Sequence, residues 1–301
     1  MLAKLIPTGL IAVAAWANVI GDVRALIGQN NFTLADALLQ KYRTEHGVTP
    51  EMLEALSWLG RGSLAAKQLE KAQTYAIETQ RLAVEQLKNR PLDAESHLPI
   101  ALGAAIEVQG QVLNERGDRS GAVAYLRKEL ATYHGTSIRT RIQKNINLLS
   151  LEGKTAPALN QREYLGAKPV PLTSLKGEPV LLFFWAHWCG DCKDEGPILA
   201  QIEKEYASKH LTVVAPTQRY GYAARGEEVG PAEELKYIDE IRHKFYVDLL
   251  NVPAPVSDEN FKNYGASTTP TLVLIDRQGI VRMYHPGRMT LEEIRAALNK
   301  L

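Results

Sequence analysis

The sequence predicts two structural classes in one chain: an all-helical, repeat-like N-terminal domain, then an α/β domain with a central sheet flanked by helices. Three observations predict it. Over residues 18–150, alanine and leucine recur at helical spacing, with breaks at turn-forming residues. From about residue 171 the pattern changes to short apolar runs alternating with amphipathic stretches. One of those runs, VLLFFW at residues 180–185, leads through Ala186-His187-Trp188 into Cys189-Gly190-Asp191-Cys192 and a helix-like segment that carries Pro197.

With 301 residues and 45% hydrophobic content, the chain has ample core for two domains. A formal net charge of +1 gives no global electrostatic case for nucleic-acid binding or for an acidic tail. Two cysteines exclude a disulfide-stapled scaffold, and their C-x-x-C spacing points to redox or metal chemistry instead.

Residues 1–17 read as an export signal. Lys4 supplies a short positive start, residues 5–15 are apolar, and Ala15-Trp16-Ala17 fits the small-residue cleavage pattern. Interrupted by Pro7, Thr8 and Gly9, the run falls short of the roughly 20 apolar residues of a spanning helix. The alternative is a first core helix of the domain that follows. Export would start the mature protein near Asn18 and place it in the periplasm or cell envelope, where cysteine pairs are redox-active.

Residues 18–150 form the helical domain. Breaks are expected at Gly47-Val48-Thr49-Pro50, Asn89-Arg90-Pro91 and Arg116-Gly117-Asp118. Gly60 is followed by Ala72, and Gly110 by Ala122, at the same offset, and an earlier segment around Phe32 supplies Ala37 and then Pro50. Small residues so placed let antiparallel helices approach closely. The stretch from Leu102-Gly103 through Gly117-Asp118-Arg119-Ser120-Gly121-Ala122-Val123 resembles a tetratricopeptide-type repeat. That resemblance implies a surface for a protein partner; packing against the neighbouring domain is the alternative.

Residues 151–170 form a linker and entry segment. Gly153-Lys154-Thr155 is no phosphate loop, because Leu148 stands where the first glycine is required. In the domain over residues 171–301, strands are expected at 180–185, 211–215, 271–275 and 280–284, the last two joined across Asp276-Arg277-Gln278-Gly279 as a hairpin. Helices are expected at about 192–209, at 231–245, at 261–264 and from Thr290, where Glu293 completes a capping box. An insert covers about 217–250, loop-like at first and rich in Gly, Tyr and charge.

Strand, C-x-x-C, helix suits dithiol chemistry. A helix start holds the two cysteines one turn apart and points unpaired N–H groups at the first sulfur. With no other cysteine in the chain, any internal disulfide is Cys189–Cys192.

Trp185-Ala186-x-Trp188-Cys189-x-x-Cys192-Lys193, Pro197 and Thr269-Pro270-Thr271-Leu272 resemble the functional signatures of the thioredoxin fold. Ala156-Pro157, Leu175-Lys176-Gly177-Glu178-Pro179-Val180 and the Cys-x-x-Cys-Lys-x-Glu-x-Pro run are similar to its exported branch, the TlpA/ResA-like thiol–disulfide oxidoreductases. The resemblance covers about residues 154–301. It implies that Cys189 is the nucleophile whose thiolate forms a mixed disulfide, and that Cys192 is the resolving thiol. It places Pro270 at a cis-proline position, where the Thr269 backbone pairs with an extended substrate strand. Phe183 occupies the position of the buried aspartate of thioredoxins proper, so Glu195 is expected to manage the Cys192 proton; a solvated helix carboxylate is the alternative. Trp185 and Trp188 are expected to shape the docking surface, with Gly190, Asp191, Lys193 and Pro197 supporting the motif. Asp191 opposes thiolate formation and Lys193 offsets it only in part, which favours a reductant or isomerase-like poise over a strong oxidant.

No cofactor is required, since electrons pass through partner thiols and disulfides. A membrane-bound reductase is implied as a source, and no nucleic-acid partner is expected. Three other functions compete with this one. His187, Cys189 and Cys192 offer soft or borderline ligands for a copper or zinc carrier; a fourth ligand is not evident, His243 and His285 being candidates only by their distance in sequence. A non-catalytic scaffold is the second. A thiol peroxidase is disfavoured because the Pro-x-x-x-Thr-x-x-Cys setting is absent. In the insert, Tyr220-Gly221-Tyr222 and Arg225 are candidates for substrate recognition or a plain surface loop.

Overall fold

The computed structural model describes residues 18–301, so the export signal expected at residues 1–17 lies outside the described residues. The chain divides into two compact units, the first ending at Ala105 and the second spanning Ile106–Leu301.

In the first unit, α1 (Val19–Gly28), α2 (Phe32–His46), α3 (Pro50–Ala65) and α4 (Leu69–Gln86) follow one another across short turns, and α5 (His97–Glu115) begins. Three of the starts are capped by the side chains that the sequence offers. Asn18 accepts from the Gly21 N–H, Asn31 from Leu34 and Thr49 from Met52, with Pro50 at the first helical position. Gly60 on α3 faces the Ala72 carbonyl and the Tyr75 side chain of α4 at contact distance, so these helices approach closely where small residues were expected.

The second unit contains the rest of α5, then α6 (Arg119–Thr132) and α7 (Arg139–Ser150). Gly110 on α5 faces Leu126 of α6, where an added Cβ would come within 2.9 Å of a methyl group. There follow β1 (Tyr164–Leu165), β2 (Val180–Phe184), α8 (Gly190–Glu205), β3 (Thr212–Val214), α9 (Pro231–Phe245), β4 (Ala254–Pro255), α10 (Asp258–Tyr264), β5 (Thr271–Ile275), β6 (Val281–Pro286) and α11 (Leu291–Leu298). The main sheet runs β3-β2-β5-β6, with β2 parallel to β3 and the other neighbours antiparallel. β1 and β4 pair separately.

All five residues of β2 are buried, as a central strand covered on both faces requires. Leu181 and Phe183 point to a core with Cys192, Leu199 and Ile202 of α8, Ile238 of α9 and Ile294 of α11. Val180, Leu182 and Phe184 point the other way, onto Phe261 and Tyr264 of α10. The C-terminus of α10 is fixed against α7: Gly265 has φ +61, and a Cβ there would run into the Lys144 backbone. The expected capping box of α11 is present, with Thr290 and Glu293 bonded reciprocally. Helix α8 begins two residues earlier than the periodicity implied, because Cys189 itself serves as its N-cap.

Candidate active site

Three local features place the cysteines. The end of β2 is held by Trp185, whose indole N–H donates to the Ala215 carbonyl at 3.0 Å and whose own carbonyl accepts from the Thr217 hydroxyl at 2.9 Å. The chain then turns, closed by a hydrogen bond from the Cys189 N–H to the Ala186 carbonyl. Helix α8 starts at once, and its first free N–H groups need acceptors. The Cys189 sulfur accepts one, from the Cys192 N–H at 3.0 Å. Cys189 and Cys192 are joined by a disulfide with Cα atoms 5.3 Å apart, and both are buried. An N–H aimed at Sγ, together with the positive end of α8, would favour the Cys189 thiolate once the bond is reduced.

The Thr269–Pro270 peptide is cis. The Pro270 carbonyl accepts from the Gly287 N–H, and the Thr271 hydroxyl donates to the Thr268 carbonyl, which together fix this loop where β5 begins. Trp188 is 49% exposed and rests edge-to-face on Tyr220 at 5.5 Å, whereas Trp185 is a core residue beside Tyr246. Pro197 lies inside α8 and removes one helix N–H. Gly196 lets α8 lie close to the Tyr246 ring, which an added Cβ would meet at 2.9 Å. Gly190 has open space around it.

Glu195 is fully buried on α8, three residues beyond Cys192. One carboxylate oxygen accepts from the Met289 N–H at 2.9 Å, and the other has no partner among the described residues. Burial pushes its pKa up to about 7, against the Met289 N–H and Arg288, which favour the charge, and with Asp191, which opposes it. Phe183 lies in the core 6.2 Å from the Tyr246 ring, so the strand position offers no proton acceptor.

Lys193 lies over the Phe245 ring at 4.8 Å, and burial lowers its pKa, as does neighbouring Lys244. The charge of Asp191 is answered instead by Arg288, 3.6 Å away, which also pairs with Asp194 at 3.3 Å. Arg288 and Met289 carried no signal in the sequence, since their importance comes from the loop after β6 crossing the first turns of α8.

His187 is 1% exposed. Its Nε2 lies 3.4 Å from Oε1 of Glu234, itself 1% exposed, and neither ring nitrogen makes a hydrogen bond among the described residues. Three tyrosines, Tyr220, Tyr222 and Tyr237, meet the ring edge-to-face at 5.2–5.6 Å. Glu234 also accepts from the N–H groups of Tyr220 and Gly221. The insert is thereby built into the motif rather than hung from it. Arg225 is elsewhere, in a left-handed turn of the insert loop. The sequence did hold a signal for Glu234: with Ile238 and Ile241 it falls on one face of α9, a charge on an otherwise apolar stripe. Among the described residues no group of three or more His, Cys, Asp or Glu side chains is arranged to hold a metal ion, and neither His243 nor His285 completes one with His187.

Residues 172–301 match the family model described as a thioredoxin-like domain. The thioredoxin-like protein YneN of Bacillus subtilis is 31% identical over 148 residues, covering 49% of this chain and 79% of that protein. The thiol-disulfide oxidoreductase ResA of Bacillus anthracis is 29% identical over 153 residues, covering 50% of this chain and 78% of that one. Among solved structures, StoA from Bacillus subtilis has a TM-score of 0.37 at 20% identity, covering 48% of this chain and 99% of that one. With a C-x-x-C disulfide at the start of α8 and a relative of this identity aligned over most of its length, the chain belongs to the thioredoxin-like family of thiol–disulfide oxidoreductases.

Proposed function

We propose that the protein is an exported reductant of protein disulfides, working in the cell envelope through Cys189 and Cys192. The observation that carries this reading is the buried Cys189–Cys192 pair at a helix start, with the unbonded oxygen of Glu195 on the same helix. In the reduced protein the Cys189 thiolate attacks a substrate disulfide, forming a mixed disulfide and releasing one substrate thiolate. Cys192 then gives its proton to Glu195 and attacks Cys189, which releases the second substrate thiolate and restores the Cys189–Cys192 bond. A carboxyl with a pKa of about 7 can accept that proton near neutrality and pass it on to a released substrate thiolate.

The direction follows from charge. A strong oxidant needs a stabilised thiolate. Here Glu195, when ionised, and Asp191, partly offset by Arg288, oppose one. Thr269 and Pro270 would receive the extended substrate, with Trp188 flanking it. Residues 1–17 would direct export, the helical repeat-like residues 18–150 would receive a protein partner, and a membrane-bound reductase would return the electrons.

Trapping tests the reading. Cys192→Ser should accumulate mixed disulfides on Cys189 that vanish in the Cys189→Ser, Cys192→Ser double variant, and the trapped proteins name the pathway. If no Cys189-linked species forms in cells where the wild-type protein is active, exchange with proteins is wrong.

A further inference from the structure

We propose that His187, set against Glu234 inside the cage of Tyr220, Tyr222 and Tyr237, is a positioning residue that stores a proton for the redox centre: it is neutral beside the disulfide and becomes an imidazolium held by Glu234, two residues from the Cys189 thiolate, when the disulfide is reduced. The proposal rests on the exchange chemistry above and adds a second proton site to it.

Four observations carry it. His187 is buried, yet both ring nitrogens lack hydrogen bonds among the described residues, an arrangement that costs free energy unless the group is used. Its Nε2 already faces a carboxylate oxygen at 3.4 Å, a contact that a small movement would turn into a charge-assisted hydrogen bond once that nitrogen carries a proton. Glu234 is held in place by the N–H groups of Tyr220, on the same oxygen that faces His187, and of Gly221, on the other oxygen, so the acceptor is fixed before the proton arrives. The three tyrosine rings pack around the imidazole and keep it from water.

His187 also stands two residues before the nucleophile, in the turn closed by the Cys189 N–H, which keeps the two Cα atoms within about 7 Å. The other cations of the neighbourhood are engaged: Lys193 lies on Phe245, and Arg288 pairs with Asp191 and Asp194. The groups that face the imidazole are Glu234 and Tyr237 from α9, Tyr220 and Tyr222 from the insert loop and, at longer range, Lys193 from α8. Beside the disulfide, burial holds the His187 pKa below its ordinary value, with Lys193 acting the same way and Glu234 opposing. A thiolate two residues away adds the negative charge that reverses the balance.

The step balances. A partner dithiol attacks the Cys189–Cys192 bond, and its two electrons and two thiol protons enter the centre as it becomes a disulfide. One proton goes to Cys192 through Glu195. The other goes to His187 rather than to solvent, leaving a Cys189 thiolate and, two residues away, an imidazolium held by Glu234. Reoxidation by a substrate disulfide returns both.

The test is a histidine titration of the full-length protein labelled with 15N, in the disulfide form and after reduction by dithiothreitol. His187 is assigned through its backbone correlations, so no variant has to fold. The reduced protein should hold the His187 proton at least about tenfold more tightly than the oxidised protein, one pH unit in midpoint. Equal midpoints in the two states, or a His187 that stays neutral on reduction, overturn the proposal. In Glu234→Gln, the rate of Cys189 alkylation by iodoacetamide should fall about tenfold near neutral pH, where thiolate sets the rate. An unchanged pH profile removes Glu234 from the device. Neither readout uses a protein substrate, so a failure here leaves the exchange reading to be judged by the trapping experiment.

Discussion

Glu195 and Glu234 sit in the same unit, one on α8 and one on α9, and both are essentially inaccessible to water. Their partners differ. Glu234 receives two backbone N–H groups, and a histidine lies within 3.4 Å. Glu195 receives one backbone N–H and leaves an oxygen with no partner, so burial dominates and its pKa climbs to about 7. Equal burial therefore goes with two settings: Glu234 ties the insert loop to α9, whereas Glu195 carries an unpartnered oxygen and a pKa pushed up to about 7. What separates the two settings is hydrogen-bond supply, two backbone donors against one.

The largest effect should come from breaking the well-supplied site. Glu234→Ala strips the acceptor from the Tyr220 and Gly221 N–H groups and from His187. Stability should drop by about 2–6 kcal/mol, since each of the two orphaned backbone donors costs about 1–3 kcal/mol. Urea unfolding at two pH values checks this, and the loss should appear at both. A change below the measurement error would mean that the insert is not tied to the motif through this residue.

Glu195→Gln should act in the opposite direction and only at high pH. The folded pKa of about 7 lies above the ordinary 4.5, so between those values the folded protein binds the proton more tightly than the unfolded chain. Its stabilising contribution is whole below about pH 4.5 and is lost as pH rises through 7. The glutamine variant keeps the acceptor for Met289 without a charge, so above pH 7 it should be more stable than wild type by up to about 3 kcal/mol. Below pH 4.5 the two should match. In the same variant the thiol titration of the reduced pair should lose its Glu195-linked step. A stability difference that does not vary with pH would show that Glu195 is not protonated in the folded protein.

Much of this was legible in the sequence because it is local. The run into Cys189 and Cys192 is strand, turn and helix in consecutive residues, and Glu195 falls three places after Cys192, on the same side of the helix. The hairpin across Asp276 to Gly279, helix α9 and the Thr290 cap were equally local, each set by nearest-neighbour chemistry. His187 was singled out for the wrong partners: its neighbours in sequence are cysteines, but its neighbours in space are Glu234 and three tyrosines. Periodicity says which face of α9 is buried and nothing about what that face meets. Arg288 and Met289 were hidden for the same reason, because their contacts depend on how β6 delivers the following loop to α8.

The smallest expected effect belongs to Arg288, and it asks how much of the Glu195 behaviour is set from the surface. Arg288 is about half exposed and shared between Asp191 and Asp194, so these ion pairs should contribute no more than about 1 kcal/mol to stability. Its charge nevertheless favours ionised Glu195. Arg288→Gln should therefore raise the Glu195 midpoint slightly and slow alkylation of Cys189 at neutral pH, because the Asp191 charge beside the sulfurs is left unanswered. Both changes should fade in about 1 M salt, where screening acts over about 3 Å. A shift that survives high salt would place the control of Glu195 in buried contacts alone, with hydrogen-bond supply as the whole difference between the two carboxylates. A shift of about one pH unit or more would instead make the surface pair the dominant control and overturn the account based on burial.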